Sequence, residues 1–259
     1  MFVLIARYWN EIEWVHTSLK YILQWDPDRI IISEGNWSPH PSFKGREFST
    51  DGTREIVQQF VKDNKDRATF IEGVRNLNDY RKNQAATCNK ALEISKAKHG
   101  DWFITIDCDS FIHDWAINII KSIMMSRRTG YYFPYMINHF FWDIETCATL
   151  RDIHGNLLPR KISKGAKFIN ANHYGLKGKY YTDNKKLVSG MNLDNLNIQG
   201  HHYLGIKSKQ RDIDRYNMGD RLKQRPEKRG YDKKRKEFKG RHPVIVQEKL
   251  FGDQIHAVS

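Results

Sequence analysis

Apolar residues along this chain fall into two alternating spacings. Short apolar runs at 2–6, 29–33, 68–72, 102–106 and 130–137 predict strands. Between them the spacing changes to that of a helix. Ile12, Val15, Leu19, Ile22 and Leu23 share one face of a helix over 10–24, and Ile56, Val57, Phe60 and Val61 one face of a helix over 51–63. Asn78 or Asp79 can cap a long helix reaching Lys98, and 114–125 reads as another helix. Strand, helix, strand in repetition predicts an α/β fold with a mainly parallel central sheet flanked by helices. The second half is less regular. Residues 138–146, 155–164 and 168–175 look like short aromatic strands and loops, and a helix is expected at 207–224. The stretch 225–243 is too charged and too broken by Gly and Pro to bury much, so 244–251 is the last plausible core element.

Length and composition narrow this picture. The 259 residues suit one large α/β domain with an appendage. At 28% charged and 39% hydrophobic, the chain is expected to be soluble yet able to build a core. Its apolar stretches are short of a membrane span. The opening run lacks a basic leader and a cleavage site, so it reads as a core strand and not a signal peptide. Three widely spaced cysteines, Cys88, Cys108 and Cys147, argue against a disulfide scaffold or a zinc site. A reducing, cytoplasmic compartment is expected, which would be the host cytoplasm for a phage protein.

The net charge of +13 is uneven: residues 207–241 carry fifteen Lys/Arg against six Asp/Glu. A basic region interleaved with Tyr216 and Tyr231 suggests a polyanionic partner, with DNA favoured over an anionic membrane surface. Arg211, Arg215, Lys233, Lys234, Arg235 and Lys236 are its candidate contacts.

Open parallel sheets bind ligands beyond the carboxyl ends of their strands. Arg7 and Asn10 follow the first strand, Glu34 the second, and Asp107-Cys108-Asp109 the run 102–106. Asp107 and Asp109 can jointly hold a hard divalent cation, and the cation a diphosphate. A nucleotide lying across these loops would place its base near Arg7 and Asn10 and its ribose on Glu34.

Taken in order, several segments resemble the GT-A glycosyltransferases, especially the inverting family-2-like group. They are the opening strand and helix, Ser49-Thr50-Asp51-Gly52-Thr53, the helix containing Asn89, and Gly100-Asp101 followed by the apolar run and Asp107-Cys108-Asp109. The likeness covers residues 2–120 well and 130–205 more loosely. It implies a GT-A (nucleotide-diphospho-sugar transferase) domain over 1–205, with a donor-binding half at 1–125, an acceptor half at 126–205 and a basic extension at 206–259. It also implies a nucleotide-diphosphate sugar as donor, with Mn²⁺ or Mg²⁺. Asn89 matches the family's helix asparagine. The arginine that often precedes it is Cys88 here, with Arg81 or Lys82 as replacement charges. Such enzymes often add a late histidine to the metal, for which Gly200-His201-His202-Tyr203 offers a pair, His201 preferred. Lys207 and Lys209, with Arg211, would neutralise the leaving diphosphate.

Inverting transfer needs a general base. Asp143, Glu145 and Asp194 are the candidates, with Phe141 and Trp142 as an aromatic platform for the acceptor. The favoured acceptor is a hydroxylated base in phage-type DNA. The alternatives are a bacterial surface glycan or lipid-linked sugar reached at a membrane surface, a metal-dependent nucleic-acid enzyme, and a non-enzymatic nucleic-acid-binding protein.

Overall fold

The computed structural model describes residues 1–39, 43–126, 136–141, 143–152, 157, 159–170, 173–175, 198–203 and 236–251. In its first half β1 (Phe2–Tyr8), α1 (Val15–Gln24), β2 (Arg29–Glu34), α2 (Thr53–Asp63), β3 (Ala68–Glu72), α3 (Tyr80–Ile94) and β4 (Trp102–Asp107) alternate. Then come β5 (Ser110–Ile112), α4 (Asp114–Met125), β6 (Met136–Phe141), β7 (Thr146–Asp152), β8 (Arg160–Lys161), β9 (Lys167–Asn170) and β10 (His173–Gly175). The last elements are β11 (Gln199–His202), β12 (Lys236–Glu237) and α5 (Val244–Phe251).

The protein is α/β, and its strands form two five-stranded sheets and one separate pair. In the first sheet, β3, β2, β1 and β4 lie side by side and parallel, and β8 closes the β4 edge antiparallel. Alternation along β1 explains why the sheet is covered on both faces. Leu4, Ala6 and Tyr8 enter one buried cluster with Val15, Leu19 and Ile22 of α1, Val57 of α2 and Ile117 of α4. Val3 and Ile5 enter another with Ala85, Cys88 and Ala91 of α3.

The expectation of one mainly parallel sheet holds only for this half. The second sheet runs β12-β7-β6-β11-β5, and of its neighbours only β6 and β11 are parallel. Residues 108–109 carry the chain from the last parallel strand of one sheet to the edge strand of the other.

Two helix boundaries differ from those the spacing predicts. Helix α1 starts at Val15, not residue 10, because Asn10 is left-handed (φ 50°) and the Glu11 carbonyl accepts from the Trp14 and Val15 amides in a turn. Helix α3 starts after Asp79, whose side chain accepts from the Lys82 amide, and it stops before Lys96, again left-handed at φ 57°.

The C-terminal extension is not a separate tail in its described part. Strand β12 pairs with β7, Phe238 packs on Phe141, and Ile245 and Val246 of α5 enter the core. No helix among the described residues is long and apolar enough to cross a membrane.

Phe141 is fully buried, its ring stacked on Tyr203 at 4.8 Å and on His201 at 5.7 Å. It is therefore a core residue and not an acceptor platform. We expect Phe141→Ala to cost about 3–5 kcal/mol in urea unfolding. A loss under about 1 kcal/mol would place the ring outside the load it shares with Tyr203.

Candidate functional site

The crevice of an open parallel sheet lies where neighbouring strands leave in opposite directions around the sheet. Here that place is between β1, which leads through α1 to β2, and β4, which arrives from α3 on the other side. The register sets Arg7 opposite Asp107 across this gap. Arg7 Nη2 donates to Asp107 Oδ1 at 2.5 Å, with the Arg7 side chain 4% exposed and that of Asp107 29% exposed. Burial alone would lower the guanidinium's pKa, but the charge of Asp107 overrides it and the pKa is raised.

Arg7 extends the row of Val3 and Ile5 toward α3, which brings it to Cys88. Burial raises the pKa of the Cys88 thiol against the opposing influence of Arg7 and Arg160. Charge missing from the helix at Cys88 is thus supplied from β1 and β8. Arg81 and Lys82, the replacements expected from sequence, are exposed at the start of α3.

Two residues on, Asp109 turns inward and is 1% exposed. The Tyr203 amide donates to its carbonyl at 2.9 Å, which ties the turn to the end of β11. His202 Nε2 lies 3.0 Å from Asp109 Oδ1, yet the nitrogen makes no aligned hydrogen bond. Proximity without alignment is how two ligands of one cation lie beside each other. The histidine at Asp109 is therefore His202, not the preferred His201. The pleat requires such a choice, since consecutive residues of a strand face opposite ways. Among the described residues no three His, Cys, Asp or Glu side chains converge as a cation cage. Asp109 and His202 fit a divalent cation as a partial donor set, with other oxygens needed to complete it.

His201 faces the aromatic core. Its ring stacks on Phe141, and His113, His139 and His242 lie 5.1, 5.4 and 6.2 Å away. Neither ring nitrogen has a hydrogen-bond partner. Burial, and then the neighbouring His113, His139 and His242, push its pKa well below 6.5. Burial also lowers His113, His139 and His242. The neutral form of His242 is legible in its bonds. Nε2 donates to the Ile144 carbonyl at 2.9 Å, so Nδ1 accepts from the Tyr203 hydroxyl at 2.8 Å.

Other expected site residues hold the scaffold. The Glu34 side chain is fully buried; it accepts from the Ser49 amide at 2.7 Å and pairs with Arg54 at 2.8 Å, so it is closed to a ribose. Gly35 after it adopts φ 128°, a conformation that favours glycine, and its amide bonds the Tyr8 carbonyl. Asn10 clasps the same loop, through its amide to Ser49 and its side-chain oxygen from Thr50. Asn89 is used at both ends of its amide by the Phe168 backbone, at 2.8 and 3.1 Å, and anchors β9. Neither asparagine is placed to bind a donor directly.

Asp143, expected as a base, caps the β6–β7 turn by accepting from the Glu145 and Thr146 amides and the Thr146 hydroxyl. Glu145 is exposed in that turn, and Lys236 is exposed on β12. Trp142, Asp194, Lys207, Lys209, Arg211, Arg215, Lys233, Lys234 and Arg235 lie outside the described residues, as does the helix expected at 207–224.

A scan of the sequence against family models finds no match, and a search of curated proteins finds none either.

The histidine cluster sets an acid limit on stability. Between the depressed folded pKa values and the unfolded value near 6.5, the unfolded chain binds more protons, so stability falls as pH drops below about 6.5. Tm measured from pH 7.5 to 5 should decline, and His201→Phe should flatten the decline. Equal slopes in both proteins would contradict the cluster's role.

Glu34→Ala should lower stability by about 2–4 kcal/mol, since it strands Arg54 and the Ser49 amide. Urea unfolding measures this. A stable Glu34→Ala protein would show that the ion pair does not hold the loop.

Proposed function

We propose that this protein is a metal-dependent glycosyltransferase of the GT-A type, moving a sugar from a nucleotide-diphosphate donor to a hydroxyl. One observation carries the reading. The parallel order β3-β2-β1-β4 ends in Asp107-Cys108-Asp109 at the strand-switch crevice, and β11 of the second sheet delivers His202 to Asp109. This combines the resemblance of residues 2–120 with a strand order that suits a nucleotide fold.

Asp109 and His202 would hold Mn²⁺ or Mg²⁺. The ion, when bound, supplies positive charge against a leaving diphosphate. Arg7 adds a fixed cation beside Asp107 in a site largely shut from water, where its field is strong. Glu34, Arg54 and Ser49 keep the loop over β2 in place, so they act on donor binding through the scaffold. The favoured acceptor is polyanionic, with DNA ahead of an anionic membrane surface. Its support is the excess of fifteen Lys/Arg over six Asp/Glu across residues 207–241.

The test is release of nucleoside diphosphate from a panel of nucleotide-sugars, with and without Mn²⁺, in the presence of hydroxymethylated DNA. Asp109 is buried, so Asn is the appropriate replacement; Ala would also leave a cavity. We expect Asp109→Asn to reduce turnover about 10²–10³-fold with the fold retained by circular dichroism. Full turnover in Asp109→Asn, or none with any nucleotide-sugar in the wild type, would refute the reading.

A further inference from the structure

We propose that Arg7 is a built-in counter-ion that withholds Asp107 from a divalent cation, so that the site takes its cation only together with a diphosphate. The inference rests on the donor reading above and adds an order of assembly to it.

The geometry behind it is specific. Two carboxylates two residues apart would ordinarily offer themselves to a cation together. Here they differ in partner and in burial. Asp107 is engaged by the guanidinium of Arg7 at 2.5 Å, and the β1–β4 register holds the two residues opposite each other. Asp109 instead faces His202 on the other sheet. Breaking the Arg7 pair would leave a guanidinium 4% exposed and without its counter-charge, a penalty of about 3–5 kcal/mol for a buried ion. A cation approaching without a diphosphate is therefore left with one carboxylate and one imidazole.

Mg²⁺ and Mn²⁺ prefer six ligands, mostly oxygens, and such a pair binds them weakly. The fixed positive charge of Arg7 further disfavours a bare dication nearby. Both obstacles disappear when a diphosphate comes with the ion. Its oxygens fill the coordination sphere, and its negative charge turns the Arg7 field from repulsive to attractive. Cys88 on α3 belongs to the same device. A neutral residue there leaves Arg7 without a neighbouring helix cation at that position, so the guanidinium can settle against Asp107.

Equilibrium dialysis of Mn²⁺ tests this, with the metal alone and with UDP, GDP, CDP or dTDP on both sides of the membrane. The wild type should bind Mn²⁺ weakly alone and at least about tenfold more tightly with one of the diphosphates. Arg7→Met should bind Mn²⁺ alone about tenfold more tightly than the wild type, because Asp107 then joins the ligands. The side chain of Asp107 is 29% exposed, so water can solvate it in that variant.

Should Arg7→Met fail to fold, Asp107→Asn gives the second arm: it should leave binding of Mn²⁺ alone unchanged. Equal wild-type affinity with and without diphosphate, no gain in a folded Arg7→Met protein, or a loss in Asp107→Asn would overturn the inference while leaving the donor reading intact. Absence of Mn²⁺ binding under every condition would overturn both.

Discussion

The register between β1 and β4 is the constraint from which the rest of the site follows. Parallel pairing of Phe2 with Trp102 carries down the strands to Arg7 opposite Asp107. Because both strands are buried, a slip of one residue would turn every inward side chain to the wrong face. The core residues Val3, Ile5 and Phe103 on one face, and Leu4, Ala6 and Ile104 on the other, thus hold a charge pair in place at the strand ends. From there the chain needs only two residues to enter the second sheet, and the inward turn of Asp109 meets His202 coming from β11.

The two sheets have different duties. The first is a rigid platform of strands covered on both faces, and its carboxyl edge bears Arg7 and Asp107. The second brings distant sequence to that edge, joining β5 to β11 antiparallel and β11 to β6 parallel. Its interior is made of aromatic rings and neutral imidazoles, with His201 at the centre and Phe141, Phe238 and Tyr203 around it. Burying four histidines beside one another keeps positive charge away from the back of the Asp109–His202 pair. The same arrangement makes this half of the molecule sensitive to acid.

Much of the first half was legible in the sequence, because local spacing determines it. The runs that became β1 to β4, and the amphipathic faces of α2 and α4, needed no tertiary information. The start of α1 was misread because Ile12 fits a helical spacing, although Asn10 and the turn at Glu11 break the helix before it begins. The second sheet was harder to read. Strands β5 and β11 have three and four residues, too few for a periodic signal, and their partners lie far away in sequence. Glu34, Asn89 and Asp143 show a related difficulty. A polar residue at a strand end or helix face looks the same in sequence whether it serves a ligand or the backbone of another segment. Only the tertiary partners, Arg54, Phe168 and Thr146, decide between the two. The pairing of Arg7 with Asp107 was more accessible. Opposite charges at the carboxyl ends of two strands that the pattern already placed in one parallel sheet were the available signal, and so was the strand alternation that separates His201 from His202.

The central claim is that a cation with its diphosphate sits at the joint of the two sheets. Paramagnetic broadening of backbone amide resonances by trace Mn²⁺, in the presence of the nucleoside diphosphate that binds, tests it most directly. The account predicts broadening centred on Asp107 to Ser110 and His202 to Tyr203, with little effect at Asp63, Asp66 or Glu145. Broadening that spares residues 107–110 and gathers at those surface carboxylates would contradict it.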